Sequence, residues 1–482
     1  MININEDIEL VKQCYYRFKK NQEYYKENDR YYFGNTDVNG GTVNLPDRSK
    51  QIVDCNFIQK LDDEEALYSF GNKITYKAKD EKHKKAIDEI NRAFSNNGAS
   101  YRMNCGKRLV QFHLGYEYNF IDSKGNFKSK YITPLQGDIY TDEFDEPLFF
   151  IYVHTIRKIK NGVEKLEDLI DVIDDTNIYR LNNNFGLISV TTHKMGTIPV
   201  GVGIVDNVRY TEENGYIEGD KTNYRTCKTI QDAYQRNFSD IVQEITDYHN
   251  AILKIYGIDL KNKLDENGEV ILDKWGEPIK EQPVISENSI LYFQDKNVQD
   301  AEWLIKNIND TFIKNTRDDL KDLIYTLTSH IDNNEKMSSN LSGIALRSKL
   351  QCLEAKVSSN EAAMEDIIRK RIECLFNYLR SINKGDYDPK MIDITFTPKV
   401  PQDLTVIVDA ISKLDHDIVS NKTKRSWLPQ VSNPELEEEL IKQEDKDKEP
   451  DIDLDKLNFS NDNTDNTNNI DNEENKGNVE NE

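Results

Sequence analysis

Asp171, Asp174 and Asp175 fall within five positions of one another. Clustered carboxylates are what a divalent cation needs, and a cation held beside a phosphodiester would make a metal-dependent nuclease. The plainer reading of the same residues is a solvated acidic face or a turn. His193, in Thr192-His193-Lys194-Met195-Gly196, is the one histidine of seven in a distinctive setting. It is isolated, and an isolated histidine is more often structural than catalytic. Gly201-Val202-Gly203 lacks the third glycine of a dinucleotide loop and reads as a flexible turn after Pro199. Asp451-x-Asp453-x-Asp455 imitates the start of an EF-hand loop. Lys456 stands where that loop needs glycine, however, and Asp462 where it needs a bidentate glutamate. No phosphate-binding loop, nucleophile elbow or zinc-protease motif occurs. The residues imply no catalytic group, no metal and no cofactor.

One polar segment differs in kind. Residues 332–340 read Asp332-Asn333-Asn334-Glu335-Lys336-Met337-Ser338-Ser339-Asn340, with one cation, between two long helical patterns. As a plain helix-to-helix connection it is long.

Composition narrows the rest. The chain has 482 residues and a formal net charge of -23. A monomer that grips nucleic acid by neutralising phosphates is normally basic, so any dealings with DNA must be of another kind. The longest apolar run, residues 148–153, is far short of the roughly 20 needed to span a bilayer. The first twenty residues show no secretory pattern. Six scattered cysteines without a C-x-x-C fit a reducing compartment. The stretch 446–482 holds 12 acidic and 4 basic residues, a net of -8. With ten asparagines in its last 25 positions, it is expected to be disordered.

The elements that would position these residues are expected to be α+β and mainly α. Helical pattern runs over 7–30, 52–68 and 82–94. Strands are expected within 116–131, around a turn at Asp122-Ser123-Lys124-Gly125, and over 148–158, 177–181 and 187–192. Ile230, Tyr234, Phe238, Ile241, Ile245, Tyr248, Ile252 and Ile255 then follow at steps of three and four. They predict one helix of about 40 Å. Turn-rich residues 257–299, with strand-like runs at 269–272 and 289–293, read as a small β-rich insertion. Helix returns over 301–329 and again, for about 60 Å, over 344–382. A short strand at 391–397 and small helices at 403–414, 422–427 and 434–444 complete the reading. No internal repeat is evident.

Several words, in order along residues 10–445, resemble the portal proteins of tailed bacteriophages with long non-contractile tails. They are Tyr31-Tyr32-Phe33-Gly34; Tyr68-Ser69-Phe70-Gly71-Asn72-Lys73-Ile74-Thr75-Tyr76; His193-Lys194-Met195-Gly196-Thr197-Ile198-Pro199-Val200; Ile230-Gln231-Asp232-Ala233-Tyr234 with Ser239-Asp240; and Leu341-Ser342-Gly343-Ile344-Ala345-Leu346-Arg347-Ser348-Lys349. Gln231 departs from the acidic or small apolar residue common at its position.

The resemblance implies a homo-oligomeric ring, usually a dodecamer, in the virion at one capsid vertex, assembled in the host cytoplasm. Double-stranded DNA would pass through it during packaging and ejection without sequence-specific contact. Residues 1–227 would be the wing, 228–256 and 301–329 the stem helices, and 257–300 the clip. Residues 330–342 would be the tunnel loop, 343–398 the long wing helix and strand, and 399–445 a helical crown. Stem packing would rest on Ile230, Tyr234, Phe238, Ile241, Ile245, Tyr248 and Ile252. The clip, through Asn267, Gly268, Trp275, Gly276 and Pro278, would meet the terminase and later a head-tail adaptor protein. Asn333, Asn334, Glu335, Lys336, Met337, Ser338, Ser339 and Asn340 would face the DNA channel. Scaffold and major capsid protein are further implied partners; a membrane is not. The motor, not the ring, would hydrolyse ATP. The alternatives are another virion structural or scaffold-interacting protein, and the nuclease built on Asp171.

Overall fold

The computed structural model describes residues 6–39, 52–98, 100–160, 163–206, 209–211, 216–248, 252–256, 261–281, 300–304, 310–332, 343–397, 411–414, 418–426, 428, 431 and 434–448. Expectations for residues 333–340, for most of 403–414 and for the acidic tail lie outside these. Two units separate, Met1–Pro401 and Gln402–Glu482.

The larger unit opens with α1 (Ile8–Tyr32), α2 (Phe57–Phe70), β1 (Thr75–Ala78), α3 (Lys84–Ser95) and α4 (Tyr101–Phe112). Eight strands follow: β2 (Leu114–Ile121), β3 (Phe127–Ile132), β4 (Gly137–Thr141), β5 (Pro147–Lys160), β6 (Val163–Ile173), β7 (Asn177–Asn182), β8 (Leu187–Thr192) and β9 (Val200–Ile204). After a small hairpin, β10 (Arg209–Thr211) and β11 (Tyr216–Glu218), come α5 (Asn223–Tyr248), β12 (Ile252–Tyr256), β13 (Asp300–Leu304), α6 (Asp310–Thr328), α7 (Gly343–Ser381) and β14 (Ile392–Thr395). The second unit holds α8 (Asn421–Ser426) and α9 (Pro434–Lys448), joined by the Arg425–Glu438 ion pair at 2.9 Å. The expected mixture of helix and sheet is observed.

Strands β4 to β8 form a five-stranded antiparallel meander, and β3-β2-β9 a three-stranded sheet. At its centre the meander is buried on both faces, which is why Phe149 to Tyr152 are continuously apolar rather than alternating. Phe149, Ile151, Ile170 and Val172 pack on Val11 and Cys14 of α1. Phe150, Tyr152 and Ile173 pack on Tyr116, Ile132 and Val200 of the smaller sheet. β6 and α4 had no counterpart in the sequence reading. β6 mixes Glu164, Lys165, Glu167 and Asp168 with its apolar residues because its first half runs past β7 and pairs with β5 alone.

Five tight turns share one construction. Asp122, Asp142, Asn182, Asp265 and Asp273 each accept, at Oδ1, from the backbone N–H groups two and four positions on. The residue three positions on has a positive φ: Gly125, Asp145, Phe185, Gly268 and Gly276. These are hairpin turns closed by a left-handed residue.

Three expectations fail, each for a physical reason. The helix read through Ile252 and Ile255 ends at Tyr248. Residues 252–256 are strand β12, paired with β13 in register Ile252↔Leu304 to Tyr256↔Asp300. A short β-branched apolar run fits either period, and a partner 44 or more positions away decides it. For the same reason the second helix starts at Asp310, not 301. Gly201-Val202-Gly203 is not a flexible turn but part of β9, laid against α7. A Cβ on Gly201 would stand 2.9 Å from the Ile367 carbonyl oxygen, and one on Gly203 2.8 Å from that of Ala363. The glycines permit a helix to approach a strand backbone.

The third correction is an internal repeat. Leu264-Asp265-Glu266-Asn267-Gly268-Glu269-Val270-Ile271 is followed at once by Leu272-Asp273-Lys274-Trp275-Gly276-Glu277-Pro278-Ile279. The pattern L-D-x-x-G-E-x-I recurs with a period of eight. Lys263, Ile271 and Ile279 close a ring of backbone hydrogen bonds: Ile271 N to Lys263 O at 2.9 Å, Ile279 N to Ile271 O at 2.9 Å, and Lys263 N to Ile279 O at 2.7 Å. Two hairpins and the entering and leaving strands thus make a near-threefold module with almost nothing buried.

Candidate functional site

The residues that looked chemical are engaged in structure. Arg180 on β7 donates from Nε and Nη2 to Asp171 on β6, both at 2.8 Å, and His154 on β5 lies 2.9 Å from the same carboxylate. Burial would raise the Asp171 carboxyl, but these partners hold it below its usual range. Asp174 accepts from the N–H groups of Thr176 and Asn177 at 2.8 and 2.6 Å, closing the β6–β7 turn. His193 Nε2 lies 2.9 Å from the Asp174 carbonyl, and burial lowers its imidazole pKa. Among the described residues no group of three or more His, Cys, Asp or Glu is arranged to hold a metal. The carboxylates of Asp171 and Asp174 are thus engaged by Arg180, His154 and the N–H groups of their own turn.

A buried polar junction, unforeseen in the sequence reading, instead ties four helices together. Glu65 of α2 is fully buried. Lys356 of α7 donates to its Oε2 at 2.7 Å, to Asn223 Oδ1 at the start of α5 at 3.0 Å, and to the Thr328 carbonyl at the end of α6 at 3.3 Å. Asn360 donates to the other Glu65 oxygen at 2.7 Å. Burial works against the Glu65 charge, but Lys356 and His330 outweigh it and hold the carboxyl near 2. One helical turn away, Asp62 has among the described residues only Asn223 Nδ2 as a donor, at 2.9 Å, and its second oxygen is buried with no partner among them. Burial pushes it up to about 8. The two buried carboxyls are driven in opposite directions because Lys356 donates directly to Glu65 and reaches Asp62 only through space.

The sequence did hold a signal for this junction. Ile58, Leu61, Glu65 and Tyr68 share one helix face, as do Leu353, Val357, Asn360 and Met364. A polar residue inside an apolar stripe needs a buried partner.

The same junction fixes the chain as it leaves α6. Ser329 takes a left-handed φ of 61°. His330 donates from its backbone to Tyr325 O at 3.0 Å and sits buried with Nδ1 2.9 Å from Thr328 O. Asp332 pairs with Lys321.

The α5 stripe that was expected to meet neighbouring subunits is in part covered by its own chain. Ile230 packs into the cluster of Tyr31, Ile58, Leu61, Tyr224, Ile324 and Tyr325. The Tyr234 ring lies 5.1 Å from Phe57, and Phe238 lies beneath Arg317 at 5.6 Å. Ile241 is half-buried, while Ile245 and Tyr248 continue the helix and Ile252 belongs to β12. Next to this stripe α5 buries a polar one. Gln231 accepts from Ile58 N at 3.0 Å, Gln235 bonds Thr36 and Asn39, and Ser239 accepts from Val53 N at 3.0 Å. Gln231, the departure noted in the sequence, therefore serves the start of α2.

The uncovered apolar stripe lies on α6. Phe312, Leu323 and Leu327 are exposed, with Thr316 and Leu320 half-buried between them, at steps of four, four, three and four. Ile324, Tyr325 and Thr328 face the chain's own core. Asp318, Asp319 and Asp322 occupy a third, exposed face. In the eight-residue-repeat module, Asn267, Gly268, Trp275, Gly276 and Pro278 are all exposed. Trp275 is 75% exposed, with Lys274 4.1 Å from its ring.

The described polar clusters thus brace helices against one another, and the apolar stripe of α6 is left open by the described residues. Residues 11–451 match the family described as phage portal protein, SPP1 Gp6-like, and the chain belongs to that family. Such a protein is a portal at the capsid vertex, structural rather than enzymatic, and family membership implies an oligomeric ring. No curated protein matches the chain in sequence. Among solved structures, a chain in the neck of an empty gene transfer agent particle is similar at a TM-score of 0.41 and 11% identity, covering 77% of this chain and 90% of that one. A chain in the virion of a native gene transfer agent particle is similar at 0.38 and 10%, covering 77% and 89%. Among the described residues no helix is long and apolar enough to cross a membrane.

Proposed function

We infer that the chain closes, usually as twelve copies, into a ring whose stem is built from α5 and α6. The three-sided character of α6 carries this reading. One side is taken by the chain's own core. The Phe312, Leu323 and Leu327 side would meet the next copy. The Asp318, Asp319 and Asp322 side would face the channel. A polyanion must slide through a conduit without sticking, and an acidic lining leaves it no registry to hold. The net charge of -23 per chain supplies such a lining. Residues 333–340, with Lys336, would be the segment nearest the DNA, giving a transient phosphate contact at most.

Residues 257–300, which include the repeat module at 261–281, would be the clip that meets the terminase and then the head-tail adaptor. Its exposed Trp275, Leu264 and Leu272 support a docking role, because so many large apolar groups on so small a module must find a partner. Residues 1–227 would form the wing and 399–445 the crown, with scaffold and major capsid protein meeting the outer surface.

Class averages of the purified full chain test the reading. A ring with an open axial hole is expected. A folded chain that stays single at micromolar concentration overturns it.

A further inference from the structure

The two edges of the five-stranded sheet are treated differently. The β4 edge is guarded by α1: Arg17 donates to the Ile139 carbonyl at 3.5 Å and Gln22 to that of Leu135 at 2.5 Å. The β8 edge has no such cover. All six residues of β8 are exposed, and among the described residues only β7 pairs with it. Leu187-Ile188-Ser189-Val190-Thr191-Thr192 contains no charge, no proline and no glycine. Proteins blunt free edges with those devices, so a bare β-branched edge is built to be paired.

The same sheet carries a second unfinished feature. β4 pairs with β5 only as far as Tyr152, and β7 with β6 only from Leu169. Beyond both, β5 and β6 continue as a lone ribbon of six residue pairs, Thr155↔Asp168 to Lys160↔Val163. It projects about 20 Å. Arg157 and Glu164 form a 3.2 Å ion pair on it, and Ile159 and Leu166 are 80% and 62% exposed on that same face. A two-stranded ribbon is marginal in water unless something packs on it.

We propose that these two features are the halves of one contact: the β5–β6 ribbon of one copy adds as a strand to the β8 edge of the next copy around the ring. The proposal rests on the portal reading. A cyclic ring needs two different surfaces that meet head to tail. The bare edge and the overhang are both six residues long, both lie on one sheet, and among the described residues neither finds a further strand to pair with. An uncharged edge also accepts the ribbon's mixed charges without repulsion.

Cysteine pairing on assembled particles tests this. In a Cys55→Ser, Cys352→Ser chain, Ser189→Cys is combined in turn with Thr155→Cys, Arg157→Cys, Glu164→Cys and Leu166→Cys, then mildly oxidised. At least one pair should give a non-reducing ladder rising one chain at a time, while each single cysteine gives none. Separately, Val190→Lys should speed subunit exchange between rings at least tenfold. Rings without a ladder in any pair, or with Ser189→Cys joining only to itself or to another protein, overturn the edge contact and leave the portal reading intact. A chain that forms no ring overturns both.

Discussion

Helices α6 and α7 carry the same kind of apolar stripe and meet different fates. The second half of α7 is enclosed. Ala363, Met364, Ile367, Ile368, Ile372, Leu375, Phe376 and Leu379 sit in the largest core, against α2, α3, α4 and β14. On α6, Ile324 and Tyr325 are enclosed while Phe312, Leu323 and Leu327 lie open. Helical periodicity therefore announces that a face must be covered, but not whether the cover comes from the same chain. The α7 region should behave as the interior of a folded domain, and the α6 stripe as half of an interface. Substitutions can separate the two.

The largest effect is expected where α7 is pinned to the sheet. Arg371 donates to both oxygens of Glu117 on β2, Tyr101 Oη donates to Oε2 of the same carboxylate at 3.0 Å, and the Arg371 guanidinium lies 4.7 Å from the Phe94 ring. Glu117 is fully buried. Arg371→Met strands a buried carboxylate, and denaturant unfolding should show a loss of about 3–5 kcal/mol. Adding Glu117→Gln should recover part of it. A single-variant loss below about 1 kcal/mol would mean that this region is as open as α6.

Next comes the strand beneath the same helix. Gly203→Val puts a branched side chain where the Ala363 carbonyl oxygen already stands 2.8 Å from a Cβ. Overpacking of this kind costs about 1–3 kcal/mol. Gly268→Ala, at a φ of 86° with open space around it, should cost less, because only the turn is strained. Equal melting temperatures for the two variants would break the distinction between enclosed and open regions.

What the sequence made legible follows the same division. The helices at α1, α2, α3 and α7, and strands β2, β3, β5, β7 and β8, were readable because their own residues carry the period and the turns carry Asp, Asn or Gly. β6 was missed because half of it is a solvent-facing ribbon. β12 was taken for helix because its pairing partner lies far along the chain. The junction around Glu65 was missed because Asp62, Asp63, Glu64 and Glu65 are four consecutive acidic residues that nothing in their own types tells apart. Only the helical spacing with Ile58 and Leu61 separates the buried pair from the half-buried one. Gly201 and Gly203 misled because glycine marks a flexible turn and a close helix contact equally well.

A pH effect of intermediate size should come from that junction. The Asp62 carboxyl titrates near 8 in the folded chain against an ordinary 3.8, so between those values the folded state keeps a proton that the unfolded state has lost. Its stabilising effect is present in acid and declines as pH rises toward 8, by at most about 1.4 kcal/mol per pH unit. His113, which burial holds near 4, and His330, also lowered, act in the opposite sense below their ordinary 6.5. Glu361, which burial pushes up to about 7, declines in the same sense as Asp62 until about that pH, so the Asp62 decline should stand out between about pH 7 and 8. Asp62→Asn keeps the acceptor for Asn223 and should flatten the melting temperature over that window. An identical slope in the variant would mean that Asp62 is charged throughout.

The smallest effect on the fold is expected at the open surfaces. Leu323→Asp with Leu327→Asp removes apolar groups that already face solvent, so unfolding should move by no more than about 0.5 kcal/mol. Ring formation should be lost, because each copy would bring charges to the seam. Trp275→Ala goes further in the same direction. The contact with Lys274 is exposed and worth about 0.5–1 kcal/mol at most, and the hairpin is held by backbone bonds to Asp273 that the substitution leaves alone. Melting and ring diameter should be unchanged, while pull-down of the packaging motor by the assembled ring should weaken at least tenfold. If Trp275→Ala instead unfolds the chain or dissolves the ring, the module belongs to the enclosed part of the molecule, and the division between the two regions has been drawn in the wrong place.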